Sequence, residues 1–158
     1  MSTRVYSASS NAKITVGSSA TKQMLRLSVP STCPDIQLLE ASCTPFGVSA
    51  TDPKARIQLV RTSNAGTFTA ITPKQHDKGS AVASKVTAGH TSSSDATPID
   101  LGSGELDIVW EEPIHGLQGF PWRLDHLGIL VPSSGFIVLR VINGSAALDF
   151  IPRLTWRE

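Results

Sequence analysis

Apolar and polar residues alternate along several short stretches of the chain. In 25–29 every second residue is apolar, and 57–61 follows the same pattern less regularly. Alternation with a period of two is typical of a β-strand that buries one face. Three other stretches, 36–43, 127–131 and 136–142, are more continuously apolar. That pattern predicts central strands that are covered on both faces.

Strand-sized runs recur along the whole chain, and clusters of Pro, Gly, Asn, Asp and Ser separate them. The spacing predicts roughly eight to ten short strands and no helix with a clear period of 3.6 residues. A length of 158 residues is that of one domain with one core. We therefore expect an all-β fold, a single antiparallel β-sandwich that spans residues 1–158.

Proline and glycine mark the connections. Pro132 and Gly135 bracket a four-residue turn, which predicts an antiparallel hairpin between 127–131 and 136–142. Pro152 interrupts the last apolar stretch and predicts a bulge or an edge position. The polar segment 88–104 and the Pro-, Gly- and aromatic-containing segment 111–125 predict two long loops, and loops of that length usually carry a function.

Charge is unevenly distributed along the chain. Lys and Arg total 14 and Asp and Glu total 13, so the net charge is +1, which argues against a general nucleic-acid binder. No Lys or Arg lies between Lys85 and Arg123, whereas six acids do, so this window carries −6 and the remainder +7. Two interpretations stay open: the window meets the basic body of another subunit, or it is a solvated acidic loop.

The cysteines and the chain start indicate the compartment. An extended run between Cys33 and Cys43 would hold the two residues roughly 30 Å apart, far beyond the span of a disulfide. We therefore expect two free thiols. The first residues lack the apolar run of a secretory signal, and no apolar stretch approaches the length of a membrane span. These features predict a protein made in the cytoplasm and no membrane partner.

The sequence contains no recognisable motif of a metal, cofactor or catalytic site. The four His residues form no H-x-x-x-H pair and the two Cys residues lack C-x-x-C spacing, so we expect no metal site and no cofactor. No nucleophile elbow or phosphate-binding loop occurs either, which predicts no catalytic residues. Phe120 and Trp122 are candidate interface anchors. The acidic residues beside them complete the predicted interface: Asp107, Glu111 and Glu112.

The order of features resembles that of small structural proteins of tailed bacteriophages. A Tyr near the start lies in Val5-Tyr6-Ser7, a basic-flanked strand spans 56–61, and the chain closes on the 131–135 turn and Thr155-Trp156-Arg157-Glu158. The resemblance also includes the strand 25–29 followed by Pro30 and 36–41, the aromatic loop through Pro121-Trp122, and Val138-Leu139-Arg140. It implies a jelly-roll-like sandwich that assembles on virions, often as a trimeric head decoration or cement protein, and it carries no catalytic residues.

These observations predict a non-enzymatic virion protein that stabilises the phage head by bridging capsid subunits. Its expected partners are further copies of itself, as a homotrimer, and the major capsid protein or another virion protein, with no nucleic acid. Two alternatives stay open: a tail, collar or fibre-base adaptor, and a carbohydrate-binding module that uses exposed aromatic residues.

Overall fold

A computed structural model describes residues 4–46, 54–62, 68–76, 82–91, 107–115, 120–123, 128–144 and 147–158. These residues contain strands and no helix. The thirteen strands are β1 (Val5–Ser9), β2 (Ile14–Val16), β3 (Thr21–Ser28), β4 (Ile36–Pro45), β5 (Lys54–Thr62), β6 (Thr69–Ile71), β7 (Lys74–Gln75), β8 (Thr87–His90), β9 (Asp107–His115), β10 (Phe120–Arg123), β11 (Ile129–Val131), β12 (Phe136–Asn143) and β13 (Leu148–Arg157).

The strands form two antiparallel sheets. The first has seven strands in the order β10-β4-β13-β1-β7, with β11 also pairing with β4 and β2 with β13. The second has six strands in the order β6-β8-β3-β12-β5-β9. The predicted all-β sandwich is confirmed. The count exceeds the predicted eight to ten because β2, β6, β7 and β11 have only two or three residues each.

Eight main strands have the connectivity of a jelly roll. In chain order they are β1, β3, β4, β5, β9, the β10/β11 pair, β12 and β13, counted as one to eight. The first sheet then reads 1-8-3-6 and the second reads 2-7-4-5, which is the order that two nested Greek keys produce. The short strands β6, β7 and β8 lie between the fourth and fifth and extend both sheets on the side of β1 and β3.

The core lies between the sheets and takes side chains from both. Its largest fully buried members are Trp156 and Tyr6 from the first sheet, together with Phe150. The Tyr6 and Trp156 rings stack with centroids 6.1 Å apart and an interplanar angle of 24°. The Tyr6 hydroxyl donates to the carbonyl of Val82 at 3.1 Å. Burial of each such ring contributes about 1.5–3 kcal/mol, so β1 and β13 pack the centre of the sandwich.

The predicted hairpin at residues 132–135 is wrong. The turn itself is present, because the Gly135 N–H donates to the Pro132 carbonyl at 3.1 Å. However, β11 pairs with β4 in the first sheet, whereas β12 lies between β3 and β5 in the second. The turn therefore connects the two sheets. The stretch 127–131 was expected to form a central strand, but β11 pairs only with β4 and Leu130 is 57% exposed.

The predicted loop at 111–125 is wrong for the residues that the structure describes. Strand β9 continues to His115, and 120–123 form β10. Pro113 is tolerated because β9 is an edge strand, which has a free side where no N–H is needed. At 88–104, residues 88–90 belong to β8, and 92–104 lie outside the described residues.

Pro152 lies at neither a bulge nor a sheet edge. It is opposite Cys43 in the interior strand β13. On the other side of β13 the pairing partner changes here, from β2 up to Phe150 to β1 from Arg153 onward. The missing N–H thus falls in the gap between two partner strands. Cys33 and Cys43 are buried free thiols, as expected from their spacing.

Candidate functional site

The predicted interface residues gather on two consecutive strands. Asp107, Glu111 and Glu112 lie on β9, and Phe120 and Trp122 lie on β10. Each strand is the last one in the order of its sheet. Five residue steps separate His115 from Phe120, so the near ends of the strands are within about 17 Å of each other. We call these five residues, with Ile108, the edge surface.

Two of the acidic residues pair with arginines of the neighbouring strand. Asp107 lies 2.6 Å from Arg61 and Glu111 lies 2.9 Å from Arg56, measured between carboxylate oxygen and guanidinium nitrogen. Both arginines belong to β5 of the same chain. The negative window of the sequence is thus partly neutralised in space. The other acids of that window that precede Asp107 lie outside the described residues.

Glu111 also ends a chain of hydrogen bonds across the sheet. The Arg140 Nε donates to the Gln58 amide oxygen at 2.5 Å, and the Gln58 amide nitrogen donates to Glu111. The hydrogen bond from Gln58 holds the pKa of Glu111 below its ordinary value, and Arg56 adds to the shift. The carboxylate therefore stays ionised at neutral pH and fixes the position of β9 against β5.

The exposed residues of β9 include Asp107, Ile108, Glu111, Glu112 and Pro113. Glu112 is exposed and lies opposite the buried Ile57. Ile108 is 44% exposed and lies opposite Val60, which is fully buried. Charged residues and Pro113 on an edge strand oppose pairing with a strand of another molecule. We therefore expect β9 to contact a partner through side chains.

Phe120 and Trp122 have fixed backbone positions in the first sheet. Phe120 is opposite Cys43 and Trp122 is opposite Ala41, and both opposing residues belong to the core. The two aromatic residues are thus in a paired strand and not in the loop that the sequence predicts. Their role as anchors stays a prediction.

A cleft lies on the opposite side of the sandwich, where the two sheets separate. Its volume is about 630 Å³. Strand β7 pairs with β1 only at Tyr6 and Ser7, so the end of β1 opens toward β6 and β8. Among the described residues, the polar lining consists of Ser7, Ser9, Asn11, Thr72, Lys74, His90 and Arg153.

Positive charge dominates this cleft. Lys74 and Arg153 are exposed, and within the described residues neither forms an ion pair. The lining residues that the structure describes include no Asp or Glu. His90 donates from Nδ1 to the Thr91 carbonyl at 2.7 Å, so Nε2 of the neutral ring is a hydrogen-bond acceptor. The cleft can therefore attract an anion and offer it several hydrogen-bond donors.

Sequence patterns did not indicate the cleft. Its members come from four distant parts of the chain, and each is an ordinary surface residue of a strand or turn. Only the sheet order places β1, β6, β8 and β13 around one opening. No local motif could have identified it.

The described residues carry no signature of a metal site or of a membrane-spanning helix. These residues contain no group of three or more His, Cys, Asp or Glu side chains that could bind a metal ion. They also form no helix that is long and apolar enough to cross a membrane. No family model, curated protein or solved structure matches the chain.

Proposed function

We propose that this chain is a non-enzymatic structural protein of a tailed-bacteriophage virion, of the head decoration or cement type. The observation that carries the proposal is the jelly-roll strand order, an architecture common in viral capsid proteins. The likeness of the strand and turn sequence to small phage structural proteins gives it direction. The protein is made in the cytoplasm of the host and acts on the assembled particle.

The proposed mechanism is additive binding across a lattice. A subunit that contacts two or more capsid proteins gains binding free energy only when those proteins are assembled. It therefore opposes expansion and rupture of the shell. A trimer would multiply the contacts, because each copy attaches at high effective concentration once the first is bound.

The edge surface is the proposed contact region. Ile108, the second residue of β9, offers an exposed apolar group, and the charges of Asp107 and Glu111 near it are already paired to β5. Such paired charges cost less to bury than free ones, and they set the register of the contact. An apolar centre with a polar rim is the usual anatomy of a protein interface.

The location of the protein in virions tests the proposal. Antibodies against the purified chain would be used to label virions produced from the genome that encodes it, with pre-immune serum as the control. Label spread over the head supports decoration. Label confined to the tail or collar overturns decoration in favour of the adaptor function, and the absence of label from intact virions overturns a virion role.

A further inference from the structure

The cleft beside β1 is a second functional surface, on the side of the sandwich opposite the edge surface. We infer that it binds an acidic saccharide, a sugar whose ring carries a carboxylate group. The inference does not depend on the proposed virion function, because it rests on the residues that line the cleft.

Two cationic side chains favour an acidic ligand. Arg153 on β13 and Lys74 on β7 line the same opening, and no carboxylate of the described lining neutralises them. An arginine binds a carboxylate with two parallel hydrogen bonds, whereas a lysine adds a point charge. A single carboxylate is the group that these two cations fit. His90 reaches the cleft from the other sheet, and its Nε2 can accept a hydrogen bond from a sugar hydroxyl.

A mixture of hydroxyl, amide and small apolar groups in the cleft favours a sugar. Ser9, Asn11 and Thr72 line the cleft beside the cations. The Ser9 hydroxyl already donates to the Pro152 carbonyl at 2.9 Å, so its lone pairs can accept from a ligand. Ala70 and Ile71 supply a shallow apolar patch. Sugar hydroxyls and the C–H face of a pyranose ring match these groups.

Size and shape favour a short saccharide over a peptide. A volume of about 630 Å³ lies within the usual range for small-molecule sites. The apolar lining consists of three alanines and Ile71, which form no deep pocket for a peptide side chain. The described lining contains no Phe, Tyr or Trp ring, so binding should rest on charge and hydrogen bonds and weaken as salt screens the charge.

The test uses a matched pair of sugars. Cellobiouronic acid carries one carboxylate, and cellobiose is its neutral analogue. Titration of each into the ¹⁵N-labelled protein would be followed by NMR. We expect the acidic sugar to shift the amide signals of Ser9, Thr72 and His90, and the neutral sugar to bind at least about tenfold more weakly.

Three variants localise the binding. Arg153→Gln and Lys74→Gln remove the cations of the cleft, and both residues are exposed, so folding should be unchanged. Arg157→Gln is the control, because Arg157 is an exposed arginine on the same strand and is not part of the cleft lining. We expect affinity to fall about tenfold in Arg153→Gln and to stay unchanged in Arg157→Gln.

Several results would overturn the inference. The absence of shifts in the parent protein would exclude the site. An equal loss in Arg157→Gln would indicate non-specific attraction. If acetate or inorganic phosphate competes at the same concentration as cellobiouronic acid, the cleft is a general anion site and the saccharide assignment is wrong. An acidic peptide that binds more tightly than the sugar would have the same consequence.

Discussion

Asp149 is held in its ionised form by two residues at the start of the neighbouring strand. Its carboxylate accepts hydrogen bonds from Lys13 Nζ and Thr15 Oγ1, both at 2.6 Å. The Lys13 contact, followed by that of Thr15, lowers the pKa of Asp149 below its ordinary value of 3.8. A carboxyl group with a lowered pKa in the folded state stabilises the fold above its unfolded-state pKa and loses that effect as pH falls.

The resulting prediction concerns Asp149→Asn. This variant should unfold at lower urea concentration than the parent at pH 7, by less than about 1 kcal/mol because solvent screens the pair. The difference should shrink as pH falls below about 4, where the carboxyl group of the unfolded chain is protonated before that of the folded protein. Urea titrations at several pH values measure it. Glu112→Gln serves as the exposed control, and a difference that persists unchanged in acid would contradict the prediction.

The reactivity and the substitution of Cys43 test the packing of the core. Its thiol is fully buried opposite Pro152 and burial raises its pKa, so it should not react with alkylating reagents until the protein unfolds. Cys43→Ala should cost about 1 kcal/mol for the lost sulfur. Cys43→Ser should cost more, about 1–3 kcal/mol, because it buries a hydroxyl. Equal costs in denaturant titrations would show that the serine finds a partner or water.

At the scale of elements, Gly89 allows two short strands to pair closely. It lies in β8 opposite Arg26 of β3 and Ala70 of β6. A methyl group added there would lie 2.7 Å from the Phe68 Cβ and 3.1 Å from the Thr69 carbonyl oxygen. Real Cβ atoms do not approach so closely, so either β6 or β8 would have to move.

Gly89→Ala is therefore expected to destabilise the protein by about 1–3 kcal/mol. Gly17→Ala is the matched control, because a methyl there would meet only the Ala20 Cβ at 3.8 Å, an ordinary contact. Thermal unfolding of both variants measures the difference. If the two glycines tolerate alanine equally, β6 does not pack against β8 as closely as described.

Local pattern predicts strands better than it predicts their partners. The stretches 36–43 and 136–142 are predicted to be central strands from their nearly continuous apolar residues, and β4 and β12 do pair with a strand on each side. The predicted cover on both faces does not hold for β4, whose residues mostly alternate between buried and half-buried. The turn at 132–135 was also identified, because Pro132 and Gly135 impose a reversal. Which sheet receives the strand after that turn depends on contacts with β3, β4 and β5, which are distant in sequence.

Two prolines are the reason why the sequence predicts a loop where β9 and β10 form. Pro113 and Pro121 suggested a loop, since a proline cannot donate to a ladder. Each strand nevertheless lies at the end of its sheet order, where one side of the strand needs no donor. Edge position is a property of the assembled sheets, so residue types alone could not distinguish an edge strand from a loop.

At the scale of the whole molecule, the jelly-roll topology explains why the cleft could not be predicted from the sequence. The first and last main strands are adjacent, as the reciprocal backbone hydrogen bonds between Arg4 and Glu158 show. Residues near both ends of the chain therefore lie close to residues of the short strands β6, β7 and β8. Arg153 and Lys74 approach one opening only after both Greek keys have closed. The predicted interface residues lie on β9 and β10, which are consecutive along the chain and belong to different sheets.

Two exposed aliphatic residues at the same end of the sandwich, one in each sheet, make different predictions about assembly. Ile108 and Leu130 are both exposed aliphatic residues on strands that lie beside a single long partner, β5 and β4. Only Ile108 belongs to the edge surface. If that surface forms the trimer, Ile108→Ser should shift the protein toward monomer at micromolar concentration, whereas Leu130→Ser should leave the assembly intact. The reason is that a polar group at the apolar centre of an interface removes its main energetic contribution.

Light scattering coupled to size-exclusion chromatography over a dilution series measures this difference. Circular dichroism of both variants checks the fold, which should be unchanged because neither side chain belongs to the core. Loss of assembly in Leu130→Ser alone would place the contact on β11 and not on β9. A parent protein that is monomeric at all concentrations would remove the trimer from the proposal, and the edge surface would then be available only to the capsid protein.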